Sequence, residues 1–370
     1  MIRMASVEQA LQLIAGHGRA NAMPVEMVPL AQAAGRRLAE AVIAQVSQPP
    51  AAVSAMDGYA VAFADMKLGA SLKVTGESRA GQPFSGRLKR GEAIRIFTGA
   101  CVPEGADHIL IQEDARRDGD TVTVTFEQPS PANIRRAGLD FSKGATLVPA
   151  GHTMTEGAIS LAASGNAPTV AVRKRPRIGV LANGDELVAP GSALAPGQIV
   201  NSIQPALLEL VRRLGAKPVD LGLSRDHEAD VRKQLAQPCD VVVCIGGASV
   251  GDYDVVRSAF AAEGFEPIFE KIAVKPGKPT WFSKQGKRLA LGLPGNPAAA
   301  MVTAQLFLRP LVDALTGAQV GVSAQQRAHT TTALPAAGNR EEYLRAVLAI
   351  DANGAAQVTA AENQDSSLLS

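Results

Sequence analysis

Lys275 and Lys278 stand three residues apart in Lys275-Pro276-Gly277-Lys278-Pro279. Two prolines and a glycine stiffen that loop, so it presents a fixed pair of positive charges, suited to phosphate or another oxyanion. The competing reading is a solvated turn with surface lysines. Gly246 and Gly247, with Ser249 and Gly251 just beyond, follow the apolar run Cys239–Ile245. Glycines there leave backbone N–H groups free to face an anion, or simply make a turn. Pro294-Gly295-Asn296-Pro297 sets a stiff loop at the positive end of a predicted helix, with Asn296 as the alternative N-cap. Carboxylates share these loops: Asp185 and Glu186 after Asn183-Gly184, then Asp226, Asp252 and Asp254. Any one of them reads equally as an N-cap or an exposed charge. Carboxylates and lysines converging at strand ends are the pattern expected of a magnesium ion bridging to a phosphate.

The elements that must position these loops are legible in the hydrophobic pattern. Residues 176–317 alternate short apolar runs (177–182, 239–245, 288–293) with amphipathic stretches (202–215, 226–236, 253–263, 298–315). Continuous apolar runs are buried parallel strands. The alternation predicts an open, doubly wound, mostly parallel α/β sheet with helices on both faces. In such a sheet ligands bind outside the carboxyl ends of the strands, where each of the four polar loops is expected. Residues 47–140 read as a small β-rich domain, with strands in 71–78, 93–97, 108–114 and 119–126 separated by Gly or Pro. Residues 1–46 and 141–175 form a discontinuous, elongated N-terminal domain. Its predicted helices cover Val7–Ile14, Pro29–Ala41 and Glu156–Ser164. Residues 318–370 read as a C-terminal β domain. The fold class is therefore multidomain α/β plus β.

Composition removes other classes. With 37 Lys+Arg against 35 Asp+Glu the net charge is +2, so no overall field draws the 370-residue chain to nucleic acid or a membrane. The 35 Gly and 23 Pro argue against a helical bundle or coiled coil. Cys101, Cys239 and Cys244 have no C-x-x-C spacing, which gives neither a disulfide framework nor a zinc site and fits a reducing cytoplasm. The amino terminus reads as an amphipathic helix starting after Ser6 rather than a secretory signal, and no run of 18 apolar residues is present.

In their order and spacing these loops resemble the molybdopterin molybdenumtransferases, the family that includes the C-terminal part of gephyrin. The resemblance extends upstream to Ser54-Ala-Met-Asp-Gly-Tyr59, to Gly91–Gly99 with Val102–Asp107, and to Asn133-Ile134-Arg135 with Gly138 and Asp140, and it covers about residues 5–315. It implies an enzyme that takes adenylylated molybdopterin and molybdate, splits the pterin–AMP pyrophosphate with Mg2+, and delivers the metal to the dithiolene. It implies an elongated homodimer in which Asp57, Thr98 and Asp140 reach the site from the neighbouring β domain. Glu186, Asp226 and Asp252 would hold magnesium or orient the attacking water, and Lys275 and Lys278 would bind phosphate or molybdate. Gly184, Asp185, Gly246, Gly247, Ser249, Gly251, Pro276, Gly277, Pro279, Pro294, Gly295, Asn296 and Pro297 would cradle the substrate. The molybdopterin adenylyltransferase is a further candidate partner.

Three hydroxyl-bearing family positions are changed: Asn183, Ile245 and Ala299 replace the usual Ser or Thr. Residues 340–345 and 363–370 resemble segments of the family's final β domain, implying oxyanion contacts from Arg345 and Ser366. Family members continue further, so the last domain is expected to lack its closing strands. These departures motivate one alternative, a catalytically weakened paralogue that binds molybdopterin or a partner protein. Against the other, a molybdopterin adenylyltransferase, stand the 54–59 and 91–99 segments, since that activity needs only the α/β domain.

Overall fold

A computed structural model describes residues 1–246, 255–318, 327–334, 336 and 338–368. Its central feature is a six-stranded sheet in the order Lys217–Ser224, Arg177–Asn183, Val241–Ile245, Arg288–Leu293, Trp281–Gln285, Glu266–Phe269. The first four strands are parallel, and Trp281–Gln285 runs antiparallel to both of its neighbours. All five residues of Val241–Ile245 are buried, which is why that segment is apolar without alternation. Its side chains still divide by parity. Val241 and Val243 pack with the helices Val7–Ala20, Ile203–Arg213 and Arg309–Leu315, while Val242 and Cys244 pack with Glu228–Leu235 and Val255–Ala262. The multidomain α/β plus β expectation holds.

The chain enters this sheet at Arg177–Asn183, steps outward to Lys217–Ser224, then crosses back to Val241–Ile245. Strand order therefore reverses between Arg177–Asn183 and Val241–Ile245, and their carboxyl ends open a crevice. The Lys275 loop follows Glu266–Phe269, which is antiparallel to Trp281–Gln285 and so runs in the same direction as the first four strands. Val274–Lys275 is a separate two-residue strand that pairs in parallel with Glu341–Glu342 of the chain's last segment. The antiparallel strand Trp281–Gln285, hard to read because it mixes aromatic and polar residues, follows the lysine loop.

Residues 1–46 and 141–175 share one apolar cluster, in which Val28, Leu38 and Val42 meet Val148, Met154 and Val172. Ser6 accepts from Gln9 N–H and Gln9 reaches back to Ser6 N–H, so a capping box starts the helix Val7–Ala20. No helix covers Pro29–Ala41. Val25–Pro29 is a strand paired with Thr169–Arg173, Leu30–Gln32 is a single 3-10 turn, and Gly35 has φ +68°. The backbone of residues 37–38 pairs with Thr153 and Val172 instead, so sheet partners override the helical pattern. Residues 53–124 carry a second six-stranded sheet, with Gly58–Val61 between His108–Ile111 and Glu92–Ile96. Among the described residues one helical stretch, Pro297–Leu315, is long and apolar enough by composition to span a bilayer; 61% of its most apolar window is buried in the protein.

Candidate functional site

Two cavities adjoin at the carboxyl ends of the parallel strands. The larger, about 920 Å³, is walled by Asn183, Gly184, Glu186, Asp226, Gly246 and Pro297 among others. The smaller, about 430 Å³, is walled by Lys275, Lys278, Arg340, Glu342, Arg345 and Ser366 among others. Pro279, Pro294 and Asn296 line both, so the two are compartments of one cleft.

In the larger compartment Asn183 ends its strand with a buried side chain (4% exposed). Its amide donates to Asp226 Oδ1, and its Oδ1 accepts from the Ser224 hydroxyl at 2.7 Å. Asp185 Oδ1 accepts Asp226 N–H at 3.2 Å. The loop after the strand is thus tied down by side chains, with the Glu186 and Asp226 carboxylates on the cavity wall. Gly246 approaches the same strand closely: at φ +85° a Cβ would lie 2.5 Å from the Asn183 carbonyl oxygen. Only glycine fits that position.

In the smaller compartment the lysine loop is held by its backbone. The Thr280 hydroxyl donates to the Gly277 carbonyl at 2.8 Å, and Tyr343 N–H donates to the Lys275 carbonyl at 2.8 Å. Gly277 has φ +116°, and a Cβ there would lie 2.2 Å from Thr303 Cγ2. Lys275 Nζ pairs with Glu342 at 2.6 Å, whereas Lys278 has no ion pair among the described residues. Arg345 spends its guanidinium on the carbonyls of Asn363, Asp365 and Leu368, so it shapes the loop that carries Ser366. The Ser366 hydroxyl accepts from Asn296 Nδ2 at 2.8 Å, and the Ser366 carbonyl accepts from Ala298 N–H at 3.0 Å. The Ser367 N–H and hydroxyl, helped by Arg345, hold the Asp365 carboxyl below its usual range. Burial and the neighbouring Glu341 push the Tyr343 phenol up, so it stays protonated.

The cleft therefore brings together Gly184, Glu186, Asp226, Gly246, Lys275, Pro276, Gly277, Lys278, Pro279, Pro294, Gly295, Asn296, Pro297, Arg345 and Ser366, with Asp185 immediately behind Asp226. Gly247, Ser249, Gly251 and Asp252 lie outside the described residues. Asp57, Thr98 and Asp140 line neither compartment. Asp57 Oδ1 accepts from Thr98 N–H at 2.7 Å and from its hydroxyl at 2.8 Å, which lowers the Asp57 pKa. The Asp140 N–H is bound to the Gln48 carbonyl at 2.9 Å. Two participants escaped the sequence reading. Ser224 gave no signal beyond standing two residues before Asp226, and Glu342 is placed by a pairing between segments some 65 residues apart.

Comparison with known proteins decides the family. Residues 5–165 match the MoeA N-terminal region (domain I and II), and residues 179–314 match a probable molybdopterin binding domain. The molybdopterin molybdenumtransferase of Haemophilus influenzae is 36% identical over 351 residues, covering 93% of this chain and 86% of its own. The chain belongs to the molybdopterin molybdenumtransferase family. The Nostoc sp. molybdopterin molybdenumtransferase is also 36% identical, over 86% of this chain and 76% of its own. The molybdopterin biosynthesis MoeA protein from Pyrococcus horikoshii superposes with a TM-score of 0.80 at 27% identity, covering 98% of this chain and 90% of that one. Membership makes this chain a transferase of molybdenum cofactor biosynthesis.

Proposed function

We propose that the chain inserts molybdate into adenylylated molybdopterin with release of AMP, in a magnesium-dependent reaction. The adjoining of the two compartments carries this reading. Lys275 and Lys278 offer positive charge to a tetrahedral oxyanion in one, and Glu186 and Asp226 offer carboxylates beside a phosphate-sized approach in the other. A wall shared through Asn296 would let one substrate reach from one compartment into the other.

The donor set fits magnesium. Two carboxylates and no soft ligand suit a hard cation that keeps its waters and shares substrate phosphates. Among the described residues no three metal-ligating side chains converge, so Glu186 and Asp226 would hold the ion together with the substrate. When bound, magnesium supplies Lewis-acid stabilisation of charge on the pyrophosphate. The protein's own part is positional. Asn183 commits one Asp226 oxygen and orients the other, Gly246 lets backbone approach the ligand, and the lysines neutralise molybdate as it enters. The Tyr343 hydroxyl, protonated, donates its one hydrogen bond to the Glu341 carboxylate. Asp57 and Thr98 would complete the site from the second subunit of a homodimer, with the adenylyltransferase as the donor of substrate. The test is incubation with adenylylated molybdopterin, molybdate and magnesium. AMP release that needs all three supports the assignment. Tight pterin binding without AMP release favours the weakened paralogue instead, and adenylylation of molybdopterin from ATP would favour the adenylyltransferase.

A further inference from the structure

Six arginines, Arg36, Arg37, Arg173, Arg175, Arg213 and Arg309, line a single cavity of about 170 Å³ away from the cleft. It lies on the seam where the amino-terminal lobe meets the ends of the helices Ile203–Arg213 and Arg309–Leu315. The cavity's one acid, Asp313, is engaged by Arg37 at 2.8 Å, and Glu26 pairs with Arg36. Arg173, Arg175, Arg213 and Arg309 have no carboxylate partner among the described residues. Each guanidinium carries five N–H donors, and the fold uses few of them. Arg173 donates to the Met23 carbonyl, Arg175 donates to the Ala34 carbonyl at 3.5 Å, and Arg309 donates to Gln305. Arg36 is 9% exposed, yet its Nε has no partner. A cation at the last turn of a helix is ordinary, which accounts for Arg213 alone and not for six arginines lining one cavity. Like charges gathered around one small cavity repel unless an anion from outside the chain sits among them.

We propose that this cavity binds the phosphate group of a small phosphomonoester. Guanidinium forks match a tetrahedral oxyanion bidentately, and the volume suits one such group with a few waters. A second cavity of about 460 Å³ shares Arg37 and Arg173 and is walled by Leu38, Pro149 and His152, which leaves room for the remainder of the molecule. The site joins two lobes, so its ligand would clamp the amino-terminal lobe to the α/β core.

The proposal is tested by thermal melts of the full chain in sodium phosphate against sodium chloride at matched ionic strength. Three proteins are compared: the natural sequence, the double variant Arg175→Gln/Arg213→Gln, and Lys275→Gln. Phosphate should raise the midpoint saturably, by roughly 2–4 °C at a large excess over its Kd. That rise should persist in Lys275→Gln and vanish in the double variant. Reading the phosphate-dependent difference within each protein removes any general loss of stability. A rise that persists in the double variant but vanishes in Lys275→Gln would assign the anion to the cleft and overturn the proposal. So would no rise beyond chloride. If the double variant instead loses oligomer mass in light scattering, the arginines seat a partner subunit's acids, and the proposal fails.

Discussion

Asn183 and Asp226 are hydrogen-bonded across the carboxyl ends of two adjacent parallel strands, and Ser224 closes the network from behind. Asn183→Ala strands a buried serine hydroxyl and frees Asp226. An unsatisfied buried polar group costs about 1–3 kcal/mol, to be read as a lower urea midpoint. The same variant should need more magnesium for half-maximal AMP release, because Asp226 is no longer pre-oriented. An unchanged magnesium dependence would show that Asn183 only fills space. The network also explains why a family hydroxyl position tolerates Asn here: the amide both donates and accepts.

Gly277→Ala should damage the lysine loop twice. The left-handed backbone disfavours a side chain, and the new methyl would strike Thr303 Cγ2. Together these cost on the order of 1–3 kcal/mol. Adding Thr303→Ala relieves the collision but not the backbone, so it should recover part of the stability. Half-saturating molybdate should rise in both proteins. A Gly277→Ala enzyme with normal molybdate dependence would separate the loop's shape from oxyanion binding.

Asp57 and Asp226 lie in different parts of one chain, and the homodimer reading assigns them to one site across subunits. Asp57→Asn and Asp226→Asn should each abolish AMP release alone. Mixed by co-expression, half of the dimers are hetero and each carries one intact site, so activity should return to about a quarter of normal. No recovery in verified heterodimers would place both carboxylates within a single chain's site.

How far the sequence reached depended on how local the signal was. The strand Val241–Ile245 was legible because both its faces are buried and every residue had to be apolar. The capped helix after Ser6 was legible for the same kind of reason: its start is written in four consecutive residues. Pro29–Ala41 misled because its apolar spacing was helical while its backbone partners, Thr153 and Val172, lie more than a hundred residues away. In the cleft, glycine, proline, lysine and carboxylate positions were visible as loops. Glu342 was not, since only the pairing of Val274–Lys275 with Glu341–Glu342 brings it to Lys275.

That pair makes a prediction of its own. Lys275 is half-exposed and Glu342 largely covered, so solvent screens their attraction to about 1 kcal/mol or less. An incoming molybdate must compete with Glu342 for the ammonium. Glu342→Gln removes the competitor while keeping the shape, and should lower half-saturating molybdate by up to about fivefold. Raised half-saturating molybdate would mean that Glu342 serves to aim Lys275.

His108 supplies a pH dependence outside the cleft. Its side chain is fully buried, and Nδ1 accepts Ala132 N–H at 2.9 Å, which leaves the proton on Nε2. Burial holds its pKa below the ordinary 6.5, with Asp107 and Asp114 opposing more weakly. The folded chain therefore keeps His108 neutral where the unfolded chain binds a proton. Its contribution to stability is complete above pH 6.5 and is lost as pH falls from there toward the folded pKa. Protonation at Nδ1 would also break the bond to Ala132, next to Asn133, whose carbonyl holds Ala55 beside Asp57. His108→Asn can still accept from Ala132 but cannot titrate. Melting midpoints across pH 5–7 should accordingly fall less steeply in the variant than in the natural protein. His17, also depressed by burial, leaves a residual slope in both. Equal slopes would show that His108 does not titrate in this range.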